Sequence, residues 1–285
     1  MKTYLDCYPC FVRQALEAAR MAGADETQQR AVLNHVLDAL RRLDLSGTPP
    51  EVGDKIHRLV REVTGSNDPY RAVKERSTRE SLVLYPRLKA LVGEGSDLLD
   101  RAVRLAIAGN IIDLGPAGEY DLWATIERVM AQPFAIDDSP AFHDALARTK
   151  WVLYLGDNAG ETVFDRVLIE TLDRPVVYAA KGGPVLNDAT VDDALAAGLD
   201  EVAEVIGTGS DAPGTILDRC TEDFRLRYDA AELIVAKGQA NYETLSTERK
   251  GIFFLLQTKC PVIARDVGVP TESIVLKRGV LVGRR

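Results

Sequence analysis

Residues 151–161 read WVLYLGDNAGE. A short apolar run stops at Gly156-Asp157-Asn158-Ala159-Gly160-Glu161, and Thr162–Leu172 continues at helical spacing. This pattern predicts a strand, a tight turn and a helix. Open α/β sheets collect ligands at the carboxyl ends of their parallel strands, which is where Asp157 and Asn158 fall. A carboxylate beside an amide oxygen offers the hard donors that Mg²⁺ or Mn²⁺ takes, with waters and phosphate oxygens completing the shell. The helix start just beyond suits an anion. The same Asp-Asn pair also suits an Asx turn and helix cap with no ligand.

Working outward, Pro175–Ala180, Glu201–Ile206, Glu232–Ala236 and Ile252–Leu256 are further short apolar or β-branched runs, each separated from the next by a turn and a helical stretch. Such alternation predicts right-handed βαβ crossovers and an α/β fold with a mostly parallel sheet. Val262–Ala264, Ser273–Leu276 and Val280–Val282 are candidates for additional edge strands.

The turns after these strands share one rim. Lys181-Gly-Gly-Pro-Val-Leu-Asn187-Asp188 follows the second run. Asp188 could supply a second carboxylate to the same metal, and Asn187 could bond a phosphate. Equally, the two could cap a helix over 189–197. Thr208–Gly214 follows the third run with small residues. Lys237-Gly238-Gln239-Ala240-Asn241-Tyr242-Glu243 follows the fourth, and its amides, glycine and lysine form a reasonable cradle for phosphate or sugar. Lys259, after the fifth run, projects a positive charge over the same rim. Two cations facing two carboxylates and a metal suit phosphoryl chemistry, which needs charge neutralised around the transferred group.

The first half reads as helical. Phe11–Ala22, Asp25–Leu43, Pro49–Val63, a segment opened by Asp68-Pro69-Tyr70 and interrupted or kinked at Pro86, and Asp97–Ile111 all show helical spacing. Asn110 and Asp113 at the end of the last helix suit a capping or domain-orienting role. The Pro- and Asp-rich stretch around 132–140 predicts a boundary between a helical domain, 1–140, and an α/β domain, 141–285. Cys7 and Cys10, in CYPC, could ligate zinc, cycle as a redox pair or be buried at a helix start. No second Cys/His pair accompanies them, and the three histidines are scattered.

The 285 residues carry a net charge of −8, which argues against a general nucleic-acid binder. No signal-peptide core or membrane-spanning apolar run is visible, so the cytoplasm is the expected location.

GDNAGE at 156–161, NDAT at 187–190, KGQANYE at 237–243 and TKCPVIA at 258–264 together resemble the damage-control phosphatase family, also known as domain-of-unknown-function family 89. CYPC, SNDPY at 66–70 and AGNIIDLG at 108–115 are similar to its prokaryotic, CxxC-containing branch. The resemblance covers nearly the whole chain. It implies a helical N-terminal region, a Rossmann-like α/β domain with helices on both faces, and a phosphatase using a divalent metal such as Mg, Mn, Co or Ni. The family's metal ligands fall on Asp157, Asn158 and Asp188, and its substrate contacts on Gly238, Gln239, Asn241 and Tyr242. Its phosphate-binding lysine falls on Lys259, with Lys237 the competing position. The chain departs from the eukaryotic branch, whose Arg-Thr-x-Lys motif is replaced here by Leu256-Gln257-Thr258-Lys259.

The expected activity is hydrolysis of a small phosphorylated metabolite, a sugar phosphate or a damaged phosphometabolite. Glu161 or Asp188 would orient the water. An aspartyl-phosphate route on Asp157 is the variant, although Ala159 removes the Asp-x-Asp pattern of haloacid dehalogenases. The alternatives are a non-catalytic nucleotide or metabolite module and, as an older label for one branch suggests, a carboxyl methyltransferase. No glycine-rich E/DxGxGxG-like loop follows the first strand to support the last.

Overall fold

The computed structural model describes residues 1–111 and 122–280. Asp113, the end of AGNIIDLG and residues 281–282 of the last candidate strand lie outside them.

Among the described residues six α-helices come first: α1 (Tyr8–Met21), α2 (Glu26–Arg41), α3 (Pro49–Thr64), α4 (Arg71–Gly93), α5 (Leu98–Ile111) and α6 (Leu122–Ala131). Capping boxes start α2, through Asp25 and Gln28, and α3, through Thr48 and Glu51. Gly65, at φ +70°, ends α3. Pro86 lies inside α4. The α/β part follows as β1 (Ile136–Asp137), α7 (Ser139–Arg148), β2 (Val152–Leu155), α8 (Thr162–Thr171), β3 (Val176–Ala180), α9 (Val191–Ala196) and β4 (Glu204–Gly207). It ends with α10 (Glu222–Ala230), β5 (Ile234–Lys237), α11 (Gly238–Leu245), β6 (Ile252–Gln257), α12 (Pro261–Val267) and β7 (Ile274–Arg278). Among the described residues no helix is long and apolar enough to cross a membrane.

The seven strands form one sheet in the order β1-β7-β6-β5-β2-β3-β4. All neighbours run parallel except β6 and β7. The chain winds from β2 outward to β4, then returns to the other side of β2 as β5. The β2/β5 crevice is therefore the switch point, where a doubly wound sheet opens for ligands.

Two expectations are corrected. Val262–Ala264 is not a strand but the middle of α12, because Pro261 suits a first helical turn and a three-residue apolar run cannot separate strand from helix. The Ser273–Leu276 run becomes β7, which is not an edge: it sits between β1 and β6.

Side chains alternate between two buried layers. Val152, Tyr154, Val235, Phe253 and Leu255 face α4, α5 and α8, whereas Leu153, Leu155, Ile234, Ala236 and Phe254 face the side of α10, α11 and α12. Helices α1 to α3 enclose a third cluster that Val262 of α12 joins. The layer over the sheet draws on Leu88, Leu105 and Ile126 of α4, α5 and α6, and β1 pairs within the sheet. The buried core therefore does not change at residue 140.

Thr190, rather than Asn187 or Asp188, caps α9. Its hydroxyl accepts from the Asp193 N–H, and the Asp193 carboxylate accepts from the Thr190 N–H at 2.9 Å. Thr190→Ala is expected to lower the unfolding free energy by about 1 kcal/mol. Asn187→Ala should change it by less than about 0.5 kcal/mol, with both read from urea unfolding at constant m.

Candidate active site

Backbone pairing brings the ends of β2 and β3 together. The Ala159 N–H donates to the Asn187 carbonyl at 2.9 Å, and the Ala189 N–H donates to the Asp157 carbonyl at 2.7 Å. Asn158 and Asp188 form an isolated antiparallel bridge. Two carboxylates distant in sequence are thus held on adjoining loops. From the other side, Asn241 of α11 donates to the carbonyls of Gly156 at 3.1 Å and Lys237 at 2.8 Å, while its Oδ1 accepts from Thr215 Oγ1 at 2.8 Å.

Beneath the loops lies a buried polar network. Asn158 Nδ2 donates to Glu161 Oε2 at 3.0 Å and to Asp157 Oδ2 at 3.3 Å. Asn110 Nδ2, from α5, reaches the same two oxygens at 2.9 and 2.7 Å. Lys237 Nζ donates to Glu161 Oε1 at 3.0 Å, Asp165 Oδ1 at 2.6 Å and the Ala106 carbonyl at 2.9 Å. Tyr154 Oη donates to Asp165 Oδ1 at 2.7 Å. Lys181 Nζ lies 3.4 Å from Asp188 Oδ2 and donates to the Gly214 carbonyl.

Charge does not balance in this volume. Asp157, Glu161, Asp165 and Asp188 are all buried, against two buried ammoniums, Lys181 and Lys237. Burial, then the neighbouring Glu161 and Asp188, pushes the Asp157 carboxyl well above its usual range. Burial likewise raises Asp188 to about 6, against the opposing pull of Lys181. Asp165 is raised to about 6 by burial, with Lys237 opposing. Burial opposes the charge on Lys237, but Asp165 and Glu161 outweigh it and raise the group. Fully ionised, the cluster carries two surplus negative charges, the charge a divalent cation would neutralise. Among the described residues Asp188 Oδ2 is buried with the Lys181 ammonium at 3.4 Å as its neighbour and no closer donor. Among the described residues no three His, Cys, Asp or Glu side chains are arranged to hold a metal. The available donor set is two carboxylates, Asp157 and Asp188, with the Asn158 amide oxygen, and that hard-oxygen set fits Mg²⁺ or Mn²⁺ with waters completing the shell.

The family model of the damage-control phosphatase ARMT1-like domain matches residues 3–275. The chain belongs to this family. It is 33% identical to the damage-control phosphatase PH1575 of Pyrococcus horikoshii, over 98% of each chain. It is 34% identical to a damage-control phosphatase of Archaeoglobus fulgidus, over 95% of this chain and 97% of that one. An uncharacterized protein of Methanocaldococcus jannaschii is 35% identical, over 96% and 94% of the two chains. The crystal structure of the Pyrococcus DUF89 family protein superposes with a TM-score of 0.90, at 32% identity, covering 98% of this chain and 99% of that one.

In this damage-control phosphatase domain the residues singled out in the sequence divide into two groups. Asp157, Asn158, Glu161, Asp188 and Gly238 meet at the crevice, where Asn187 and Gln239 are half-buried and Lys259 is exposed. The Gln239 Oε1 accepts from the Lys259 N–H at 2.5 Å, and the Lys259 charge acts on Asp157. Lys237, Asn241 and Tyr242 have other tasks. Lys237 shares the strand face of Val235, so its fully buried ammonium points under the sheet to its carboxylates and cannot meet a phosphate at the rim. Both ends of the Asn241 amide bond protein atoms. Tyr242 packs edge-on against Phe254 and donates to Asp266 Oδ2 at 3.0 Å, on the opposite face of the sheet. Glu161 is also corrected: it is buried beneath the loop with both oxygens accepting from Lys237, Asn110 and Asn158, so it anchors the loop instead of facing a water at the rim.

Asp165 and Lys181 were missed as site residues. The signal for Asp165 was its place four residues after Glu161, on the same face of an apolar helix. Cys7 precedes α1 and Cys10 lies in its first turn, both as free thiols raised chiefly by burial. Cys260, beside Lys259, lies close enough for its charge to act on both, a proximity that spacing could not reveal. His57 is buried with Nε2 unpartnered, and burial, reinforced by Arg61, lowers it to about 4.

Gly238, at φ +77°, leaves no room for a side chain, because an added Cβ would overlap Asp157 Oδ2. Gly238→Ala is expected to cost at least about 1–2 kcal/mol for the left-handed backbone alone and to displace the carboxylate as well. Thermal unfolding measures the first effect and Mn²⁺ titration the second. Asp165 and Asp188 bind protons more readily folded than unfolded. Their stabilising contribution is therefore complete below about pH 4 and lost as pH rises through about 6. Chelator-treated protein should show a falling melting temperature between those limits, and a divalent cation added at pH 7 should restore it.

Proposed function

We propose that the protein is a divalent-metal-dependent phosphomonoesterase acting on small phosphorylated metabolites, sugar phosphates or their damaged forms among them. The observation that carries this reading is the surplus of two buried negative charges at the β2/β5 switch point, beside the exposed Lys259. Asp157, Asn158 and Asp188 would hold the metal. When bound, it supplies Lewis-acid charge neutralisation to a phosphoryl group.

The chain's own groups do the rest. Lys259 stands free at the rim to draw in and neutralise an equatorial phosphate oxygen. The Gln239 amide, bonded to the Lys259 N–H, ties that lysine's backbone to the start of α11. Asn187, half-buried on the loop after β3, would bond the substrate. Asp188, whose Oδ2 lies 3.4 Å from Lys181, would accept a proton from an attacking water. Glu161, locked by Lys237, Asn110 and Asn158, keeps the ligand loop in register.

Protein stripped by chelation and reloaded separately with Mg²⁺, Mn²⁺, Co²⁺ or Ni²⁺ is expected to release phosphate from a panel of phosphate monoesters. Asp157→Ala should reduce kcat by about 100-fold or more, and Lys259→Ala should lower kcat/KM by roughly 100-fold. No phosphate release with any metal, or full activity in Asp157→Ala, would overturn the reading. Ligand binding that survives chelation without turnover would favour a non-catalytic metabolite-binding module.

A further inference from the structure

We infer that Asn110 is a positioning residue for this centre: its side-chain amide selects which oxygens of Asp157 and Glu161 are tied down and which remain for the cation and substrate. The inference rests on the metal-phosphatase reading and assigns a task to a residue from the helical half of the chain.

Asn110 is 1% exposed and sits near the end of α5. A capping residue would bond backbone at its helix end. Instead the Asn110 Nδ2 donates to Asp157 Oδ2 at 2.7 Å and Glu161 Oε2 at 2.9 Å. One neutral amide thus bridges two carboxylates that otherwise repel each other in a low-dielectric interior. With Asn158 on the same two oxygens and Lys237 on Glu161 Oε1, no oxygen of Glu161 is left over. Both amide donors to Asp157, from Asn110 and Asn158, fall on Oδ2, so they fix the carboxylate through one oxygen and leave the cation the other. The position of α5 is equally constrained. A Cβ at Gly109 would come within 2.8 Å of Phe164 and 3.2 Å of the Glu161 Cβ, so the helix backbone rests directly on α8. Among the described residues Asn110 Oδ1 is buried without a partner. A residue kept only for helix packing would not carry an unpaired acceptor at that cost, whereas a residue needed for its donor would.

The test compares Asn110→Ala with Ile107→Val, which trims a buried apolar side chain on the same helix and removes no hydrogen-bonding group. Mn²⁺ dissociation constants are measured by isothermal titration, beside melting temperatures of the chelated proteins and kcat and KM for a phosphate monoester. Loss of a partner that orients a metal ligand typically weakens metal binding by roughly 10- to 100-fold, and Asn110→Ala should fall in that range. It should lower kcat more than it raises KM, because Lys259 is untouched. Ile107→Val should bind Mn²⁺ as the unsubstituted protein does while melting lower. Asn110→Ser serves if the alanine variant does not fold, with the same expected weakening. Unchanged Mn²⁺ affinity in the Asn110 variants overturns the inference, as does equal weakening in Ile107→Val. If the unsubstituted protein binds Mn²⁺ and hydrolyses esters in either case, only the role of Asn110 falls. If it binds no divalent cation at all, the metal reading falls and this inference with it.

Discussion

Lys237 carries an ammonium into the interior with no solvent exposure, held by Asp165 at 2.6 Å and Glu161 at 3.0 Å. A buried charge is tolerated only when its partners are close and its remaining protons are bonded, and here the third proton goes to the Ala106 carbonyl. This arrangement couples three elements of the fold. Lys237 ends β5, Glu161 and Asp165 lie at and in the first turn of α8, and Ala106 belongs to α5. Tyr154 and Tyr178 of β2 and β3 stack beside the pair, and their hydroxyls donate to Asp165 at 2.7 and 3.4 Å. Removing either carboxylate would leave a buried cation short of a partner, so the geometry above it is not free to drift.

From that anchor the centre is built upward. Glu161, fixed through Oε1, presents Oε2 to Asn158 and Asn110, and these align Asp157. The backbone zipper between residues 157–159 and 187–189 then delivers Asp188 with Lys181 beside it. The outcome is a concentration of negative charge that the protein alone does not cancel. Raised carboxyl groups are the physical sign of that imbalance: without a counter-ion, protons take up the excess. On the proposed reading, a divalent cation would take the place of those protons and supply the charge a phosphate ester needs near pH 7.

Much of this was legible in the chain. Short continuous apolar and β-branched runs placed β2, β3, β5 and β6 to within a few residues, and the turns after them marked one rim of the sheet. Val235 and Lys237 share a parity, so the inward direction of Lys237 was implicit in the strand, but only the depth of the surrounding helices made it a fully buried ion rather than a rim cation. Val262–Ala264 was misread because three apolar residues carry no period, and Tyr242 because the next helical position after Asn241 turns toward the other face of the sheet. The extent of the helical half was legible, but its packing onto the sheet through α4, α5 and α6 was not, since amphipathic helices advertise an apolar face without naming what covers it.

Taken by itself, the sequence determined the α/β class, the carboxyl-end location of Asp157, Asn158 and Asp188, and the family to which these motifs belong. Those features follow from local periodicity and from residue types at short spacing. Tertiary structure alone decided which polar groups lie at the rim and which hold the loops from beneath. Asn110 lies 47 residues from Asp157, and Lys237 lies 76 from Glu161, yet each pair shares a hydrogen bond. Contacts at such separations depend on how helices and strands pack, and the two-charge surplus arises only when those elements bury the carboxylates together.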